Sequence, residues 1–456
     1  MNLRARALLA LAMIPLASHA AWAQSPAPAD GNPAPAAQPS AAPAQTGPNS
    51  NPPSQPQSPS PGWSVGPIDF SGELSGYYTY NANHPHKQSD DGISSSGAGN
   101  NLYNFNTDAN APDLSFAKLA ISHSPDPVGF ELDFGFGRTI DDINAGERSW
   151  SVLRYIEQAF IEWKPAKAKG FEIDIGKFSS GAGAEVIEDF GNWNYSHSLV
   201  FSWAIPYFLS GGRMSLPIGK HFTGGFQLVN GWNNHTDDVN SVRTIGLTGT
   251  LTYTKFTWNI NYHTGPMNQG TDRGFRNLLD TTLLLTPPGK LNGYVNFNIG
   301  DNANSLCSSC TAPATQATAS WCGLAAAVHF QLTSKWAFSP RIEWFDDAQG
   351  YELSRALPAP ISNLHGAVAQ QVKEATLTAE YKLLEGLLWR AEWRRDWSTY
   401  PMFERGIAPI ASDQISYAGG SGTMILPINN PAGLLGYLKS QNTVTIGLIA
   451  FFGPRR

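Results

Sequence analysis

The 456-residue chain has no apolar run after its first residues that approaches the roughly 20 residues a spanning helix needs. The most apolar later stretch, 199–209, is short and broken by Pro206. A helical membrane span is therefore excluded for the body of the chain. Charge is also scarce, at 14% of residues, against roughly 25% in ordinary soluble domains. A net charge of −6 excludes nucleic acid as a partner, because phosphate binding needs concentrated Lys and Arg. There are three cysteines, the first at Cys307, so no lipid-bearing cysteine follows the N-terminal segment. Cys307 and Cys310 form a CSSC with Cys322 further on, and one disulfide is expected in an oxidising compartment, Cys307 with Cys310 being one candidate pair. A zinc site would need a second ligand pair, and the acids of the 230–240 stretch, Asp237 and Asp238, lack the oxygen spacing of a calcium loop. GxSxG, HExxH and P-loop motifs are missing and the histidines are scattered, so no catalytic residue, cofactor or metal is expected.

What is present begins with Arg4 and Arg6, an apolar run over 7–16 and Ala21-Trp22-Ala23. This reads as a signal peptide over 1–23, cut after Ala23. Residues 24–62 are Pro, Ala, Ser, Gln and Asn with almost no charge. Such a composition buries too little apolar surface to offset ordering entropy, and reads as a disordered spacer. The remaining domain, 63–456, is rich in Gly (44), Trp (14), Tyr (15) and Phe (23) over the whole chain.

From Ile68 the pattern has period two: Ile68, Phe70, Leu74, Tyr78 and Tyr80 alternate with Asp69, Ser71, Glu73, Ser75 and Thr79. In a strand the two sets face opposite sides. The same alternation returns at 130–136, 244–253, 256–263 and 387–396, and more weakly at 114–123, 154–164, 170–178, 212–217, 221–230, 278–286, 291–300, 321–331, 336–345, 370–382 and 441–452. That makes roughly sixteen strands, an even number as single-chain outer-membrane barrels require. Short connections (SPDP, IGK, TK, PPGK, TSK) alternate with long polar ones. Short periplasmic turns and long outer loops produce that alternation when both termini are periplasmic. The fold class expected is all-β, an antiparallel transmembrane β-barrel. A mean hydropathy of −0.25 is compatible with it, since it averages two opposite faces. A soluble sandwich would leave the acid-rich faces as surface and its edges unpaired, whereas closure accounts for both faces. By parity the outward charges are Glu157, Lys177, Lys373 and Arg395, all near outer strand ends, and Tyr78, Tyr262, Trp336, Trp389 and Trp393 fall where aromatic girdles lie.

The runs GAGAEVIEDFGNWNYSHSLVFSWAIP and LVNGWNNHTDDVNSVRTIG and the segments RIEWFDDAQG and WRAEWRRDWS resemble β-barrel porins of the OmpL-like type over 68–452. The resemblance implies an outer-membrane channel for small solutes. Its matching positions are Gly183, Glu185 and Asn194, then Asn230, Gly231 and Trp232, and Arg341, Glu343, Arg390, Glu392 and Arg394 on the wall. One departure is the end of the chain, where Phe452 is followed by Gly453-Pro454-Arg455-Arg456.

Arg390, Glu392, Arg394 and Asp396 share one strand face at about 7 Å intervals, and Arg341 and Glu343 form a similar pair two strands earlier. They read as pore-lining charges or as a salt-bridged brace of the wall. The stretch 177–213 holds Glu185, Glu188 and Asp189 in the third long connection. An infolded loop there would narrow a wide lumen, with its acids facing arginines across a gap. The apolar part, 199–209, either packs the loop against the wall or extends the next strand. The function expected is passive diffusion of small hydrophilic solutes or ions. The alternative is a structural or adhesive barrel with a Pro-rich tether. Partners expected are outer-membrane lipid, lipopolysaccharide, small solutes and further copies of the chain.

Overall fold

Sixteen long segments of period-two sequence form strands, and each pairs antiparallel with the next in chain order in a computed structural model of the chain. Its described residues are 63–85, 99–147, 151–233, 240–267, 272–303, 318–353, 370–404 and 437–453. The signal peptide and spacer expected over 1–62, and Cys307, Cys310, Asp237 and Asp238, lie outside them. The strands are β1 (Ile68–Asn81), β2 (Pro112–His123), β3 (Val128–Phe136), β4 (Ile156–Trp163), β5 (Glu172–Ser179), β6 (Phe208–Ile218), β7 (Phe222–Val229), β8 (Thr244–Tyr253), β9 (Phe256–Pro266), β10 (Phe275–Leu285), β11 (Leu291–Ala303), β12 (Thr318–Gln331), β13 (Trp336–Asp347), β14 (Gln370–Leu384), β15 (Leu387–Ser398) and β16 (Ser440–Phe452). β16 returns to β1, from Thr443 opposite Asn81 to Phe452 opposite Gly72, so the sheet closes and has no free edge. The two-residue piece Ser64–Val65 extends the sheet beside β1.

Alternation decides which side chain meets lipid and which meets the lumen. On β13 the row Arg341, Glu343 is buried while Ile342 is 65% exposed, and on β15 Arg390, Glu392, Arg394 and Asp396 are buried while Trp393 and Trp397 are exposed. Leu74, Ile161, Ile175, Leu247, Leu377 and Ile446 continue the exposed apolar belt around the barrel. The polar residues lie inside and the apolar ones outside, as a lipid-facing wall requires. Ile342 lies midway along β13. Ile342→Lys is therefore expected to cost about 2–4 kcal/mol in chemical denaturation of the lipid-embedded protein. A cost near zero would mean that this face does not meet hydrocarbon.

Lys373 and Arg395 are exposed, as parity predicts. Glu157 and Lys177 are not. The β3–β4 register slips between Asp133 and Phe134, pairing them with Gln158 and Ile156 and leaving Glu157 as the extra residue of a bulge. Its carboxylate turns in to Lys118, 3.1 Å away. Lys177 is covered by the β3–β4 connection: its ammonium donates to Asn144 Oδ1 (2.5 Å) and to the Ile156 carbonyl (2.7 Å), and lies over the Phe208 ring. Period-two reasoning assumes an unbroken ladder and an uncovered wall, and fails at these two positions for those two reasons.

Among the described residues the connections hold two short α-helices, α1 (Arg138–Ile143) and α2 (Leu199–Ala204). α2 starts where the Ser198 hydroxyl accepts the Phe201 amide at 3.0 Å, a serine N-cap. It ends at Ile205, which is extended because Pro206 follows. All six of its residues are buried, as its unbroken LVFSWA character requires. β6 then begins at Phe208, so the apolar stretch 199–209 is divided between a helix and the start of a strand.

Candidate functional site

A buried polar side chain must find a partner or lose roughly 1–3 kcal/mol of solvation. The inward-facing charges of β13–β15 find theirs in the β5–β6 connection, residues 180–207. Arg390 bonds Glu380 through Nε (2.8 Å), and its remaining nitrogens donate to the backbone carbonyls of Asp189 (2.7 Å), Asn192 (2.5 Å) and Asn194 (3.2 Å). Arg394 holds Asp396 (2.9 Å) and the His197 carbonyl (2.8 Å), with Tyr103 across its face. Arg341 donates to Glu374 (3.1 Å), to Glu185 (2.8 Å) and to the Ser196 carbonyl (2.7 Å), and lies 3.1 Å from Glu343. Arginine suits this work, since its fixed fork of donors serves carboxylate and carbonyl oxygens together.

The wall acids make the complementary bonds. Glu392 accepts the amides of Tyr195 (2.6 Å) and Ser196 (3.0 Å), Glu343 that of Val200 (3.2 Å), and Asp280 that of Gly183 (2.9 Å). Asn194 donates to the Ser339 carbonyl and to Thr378. Two glycines permit this approach. Gly183 has φ +91 and faces Ile205, and Gly447 on β16 leaves room for the Tyr195 ring, which a Cβ would meet at 2.2 Å.

The three loop acids are spread rather than clustered. Glu185 receives Arg341, the Tyr294 hydroxyl (3.2 Å) and the Ser198 amide (2.7 Å). Glu188 meets Lys118 at 2.5 Å, and Asp189 accepts from Ser75. Burial pushes the Glu188 carboxyl up, but the Lys118 ammonium more than offsets this and leaves it below the usual range. Burial dominates at Asp189 and holds its carboxyl above that range, against His197, Ser75 and Arg390.

Sequence reasoning placed Arg390, Glu392, Arg394 and Asp396 on one strand face and set the loop acids across a gap from the arginines. In the structure Glu185 touches Arg341 directly, Arg390 and Arg394 take loop carbonyls, and Arg341, Arg390, Arg394 and Asp396 are at most 1% exposed. Glu374, Tyr294, Lys118 and Asp280 were missed. The first long connection was missed too: Trp203 Nε1 donates to the Leu102 carbonyl, and Phe105 packs on His197 and Phe201. Its signal is the NLYNFN segment, apolar within a polar loop, and Leu102 and Phe105 sit at φ 69 and 75. Backbone strain of about 1–3 kcal/mol per such residue persists only where packing enforces it. Trp232 is buried beside Trp321, with Arg276 over its ring at 4.5 Å, and Cys322 is buried on β12.

Among curated proteins no relative matches the chain. Among solved structures the chain is similar to Salmonella typhi OmpF in complex with daunomycin (12% identity, TM-score 0.49, covering 84% of this chain and 97% of that one). It is also similar to an anion-selective porin from Comamonas acidovorans (9%, 0.48, 84% and 99%) and to the trimer form of Vibrio cholerae OmpT (10%, 0.47, 84% and 99%). The family model described as "Putative beta-barrel porin-2, OmpL-like" matches residues 67–424. With a closed barrel and an apolar outer belt, that match places the protein in the bacterial outer membrane. The chain belongs to the OmpL-like β-barrel porin family.

Proposed function

We propose that the barrel is a passive channel for small hydrophilic solutes or ions, narrowed by the 180–207 connection. The observation that carries this reading is the anchoring of that connection by Arg341, Arg390 and Arg394 on the lumen wall. A sixteen-stranded wall left empty would enclose a wide aqueous channel, and a loop held on its inner face reduces the open section. Glu185, Glu188 and Asp189 then position the constriction through Arg341, Lys118 and Ser75. Glu343, Glu392 and Asp396 complete the charged wall on which it rests. Partners in this reading are lipid and lipopolysaccharide on the apolar belt, solutes in the lumen and further copies of the chain.

The near-complete burial of those arginines favours a second reading, a barrel plugged by its own connections that serves the envelope structurally. Purified protein in planar bilayers separates the two. The channel gives stepwise conductance, and removing residues 181–194 raises it. An unchanged value in the deletion variant would rule the loop out as the constriction, and silence of the intact protein at every voltage would favour the plug.

A further inference from the structure

The seven short connections at the periplasmic end of the barrel are unevenly charged. Seven of the chain's thirteen lysines fall in five consecutive ones: Lys164, Lys167 and Lys169 between β4 and β5, Lys220 between β6 and β7, Lys255 between β8 and β9, Lys290 between β10 and β11, and Lys335 between β12 and β13. Those five connections, 164–171, 219–221, 254–255, 286–290 and 332–335, contain no Asp, Glu or Arg. The two short connections outside this arc carry acids instead, Asp126 between β2 and β3 and Glu385 between β14 and β15. The rim is therefore basic along one arc and not around its whole circumference. Lys164 is taken by Glu172 at 2.9 Å. The other six lysines are exposed, and among the described residues none of them pairs with a carboxylate.

The height of these lysines is set by what brackets them. Ile218 and Phe222 flank Lys220, Leu285 and Leu291 flank Lys290, and Leu332 and Trp336 flank Lys335, all six exposed. Large apolar side chains at the end of a lipid-facing wall mark the edge of the hydrocarbon, and a lysine one or two residues beyond them carries its ammonium to the level of the headgroups while its stem stays on the apolar side. Lys335 shows that direction: its ammonium lies 5.9 Å from the centre of the Tyr381 ring, and Tyr381 is opposite Trp336 on the outward face. Lys290 Nζ donates to the Leu332 carbonyl of the next connection at 2.9 Å, so the arc continues from one connection to its neighbour.

We propose that this lysine arc is a docking surface for the headgroups of anionic phospholipid in the periplasmic leaflet. Charge complementarity selects the occupant: unpaired ammonium groups at headgroup level attract an anionic lipid surface, and the attraction adds along the arc. The residue type agrees with it. Lysine is a compact point charge that meets a phosphate without a fixed geometry, which suits headgroups that exchange, whereas arginine's rigid fork is used on this wall for the buried, permanent contacts of Arg341, Arg390 and Arg394. The proposal rests on the outer-membrane position of the barrel and not on conduction, so a plugged barrel would bind the same lipid.

The test places the folded full chain in phosphatidylcholine vesicles and compares the protein-bound fraction of spin-labelled phosphatidylglycerol with that of spin-labelled phosphatidylcholine by electron paramagnetic resonance. Phosphatidylglycerol should be favoured about twofold, since only the lipids along the arc gain from it. The preference should vanish in about 1 M NaCl, where charges are screened beyond about 3 Å. It should also vanish when Lys220→Gln, Lys255→Gln, Lys290→Gln and Lys335→Gln are combined, and survive when the same four lysines become arginine. If the glutamine variant does not give the heat-modifiable folded band, the salt dependence of the unaltered chain and the arginine variant carry the test. Equal binding of the two lipids by the unaltered chain, or an unchanged preference in the glutamine variant or in high salt, overturns the proposal. So does co-sedimentation with purified peptidoglycan that the glutamine variant loses while its lipid preference stays, which would assign the lysines to a wall polymer.

Discussion

Arg341→Ala is expected to lower the stability of the folded barrel by about 3–5 kcal/mol, read from the shift of the denaturation midpoint in detergent or lipid. The reason is the set of charges left behind. Arg341 alone contacts Glu185, Glu343 and Glu374, each buried, at 2.8–3.1 Å. Removing the guanidinium strands three carboxylates in one desolvated cluster, and it also frees the Ser196 carbonyl of the loop. Arg341→Lys keeps the charge but has no planar fork to reach Glu374, Glu185 and Ser196 together, so it should recover only part of the loss. Adding Glu374→Gln to Arg341→Ala removes one of the stranded charges and should restore stability in part. If Arg341→Ala falls within experimental error of the unaltered protein, the cluster does not bear on the fold.

The contrast between wall and loop explains what could be read in advance. The strands were legible because a lipid-facing wall imposes one rule on every residue: Ile342 and Trp393 out, Arg341 and Arg394 in. The sixth strand, expected over 212–217, was shortened because its start, Phe208 and Leu209, continues the apolar run of α2 without a change of composition. The serine cap at Ser198 and the proline at 206 mark that boundary, and both signals are local. The anchoring of the loop was not legible, for a physical reason. Arg390 and Arg394 reach backbone carbonyls, which every residue carries, so the identities of Asp189, Asn192, Asn194 and His197 do not announce the contact. Gly447 on β16 and Gly323 on β12, glycines within long strands, hint that something approaches the wall closely, and they do not say that Tyr195 and Val200 are what arrives.

The same carbonyl bonds yield the prediction that links structure to conduction. In Arg390→Ala the carbonyls of Asp189, Asn192 and Asn194 lose their shared donor, so the tip of the 180–207 connection comes away from β15 while Arg341 and Arg394 still hold its later part. On the channel reading, mean unit conductance in planar bilayers should rise by roughly twofold or more, because a sixteen-stranded lumen freed of its loop is an aqueous channel. Stability should fall as well, since Glu380 is left buried without its cation. Glu380→Gln separates the two effects. It removes the ion pair but leaves Nη1 and Nη2 on the three loop carbonyls, so it should lower stability and leave conductance nearly unchanged. Equal conductance changes in the two variants would mean that wall charge, and not the position of the loop, governs the flow. No change in Arg390→Ala would mean that solutes pass where this loop does not reach.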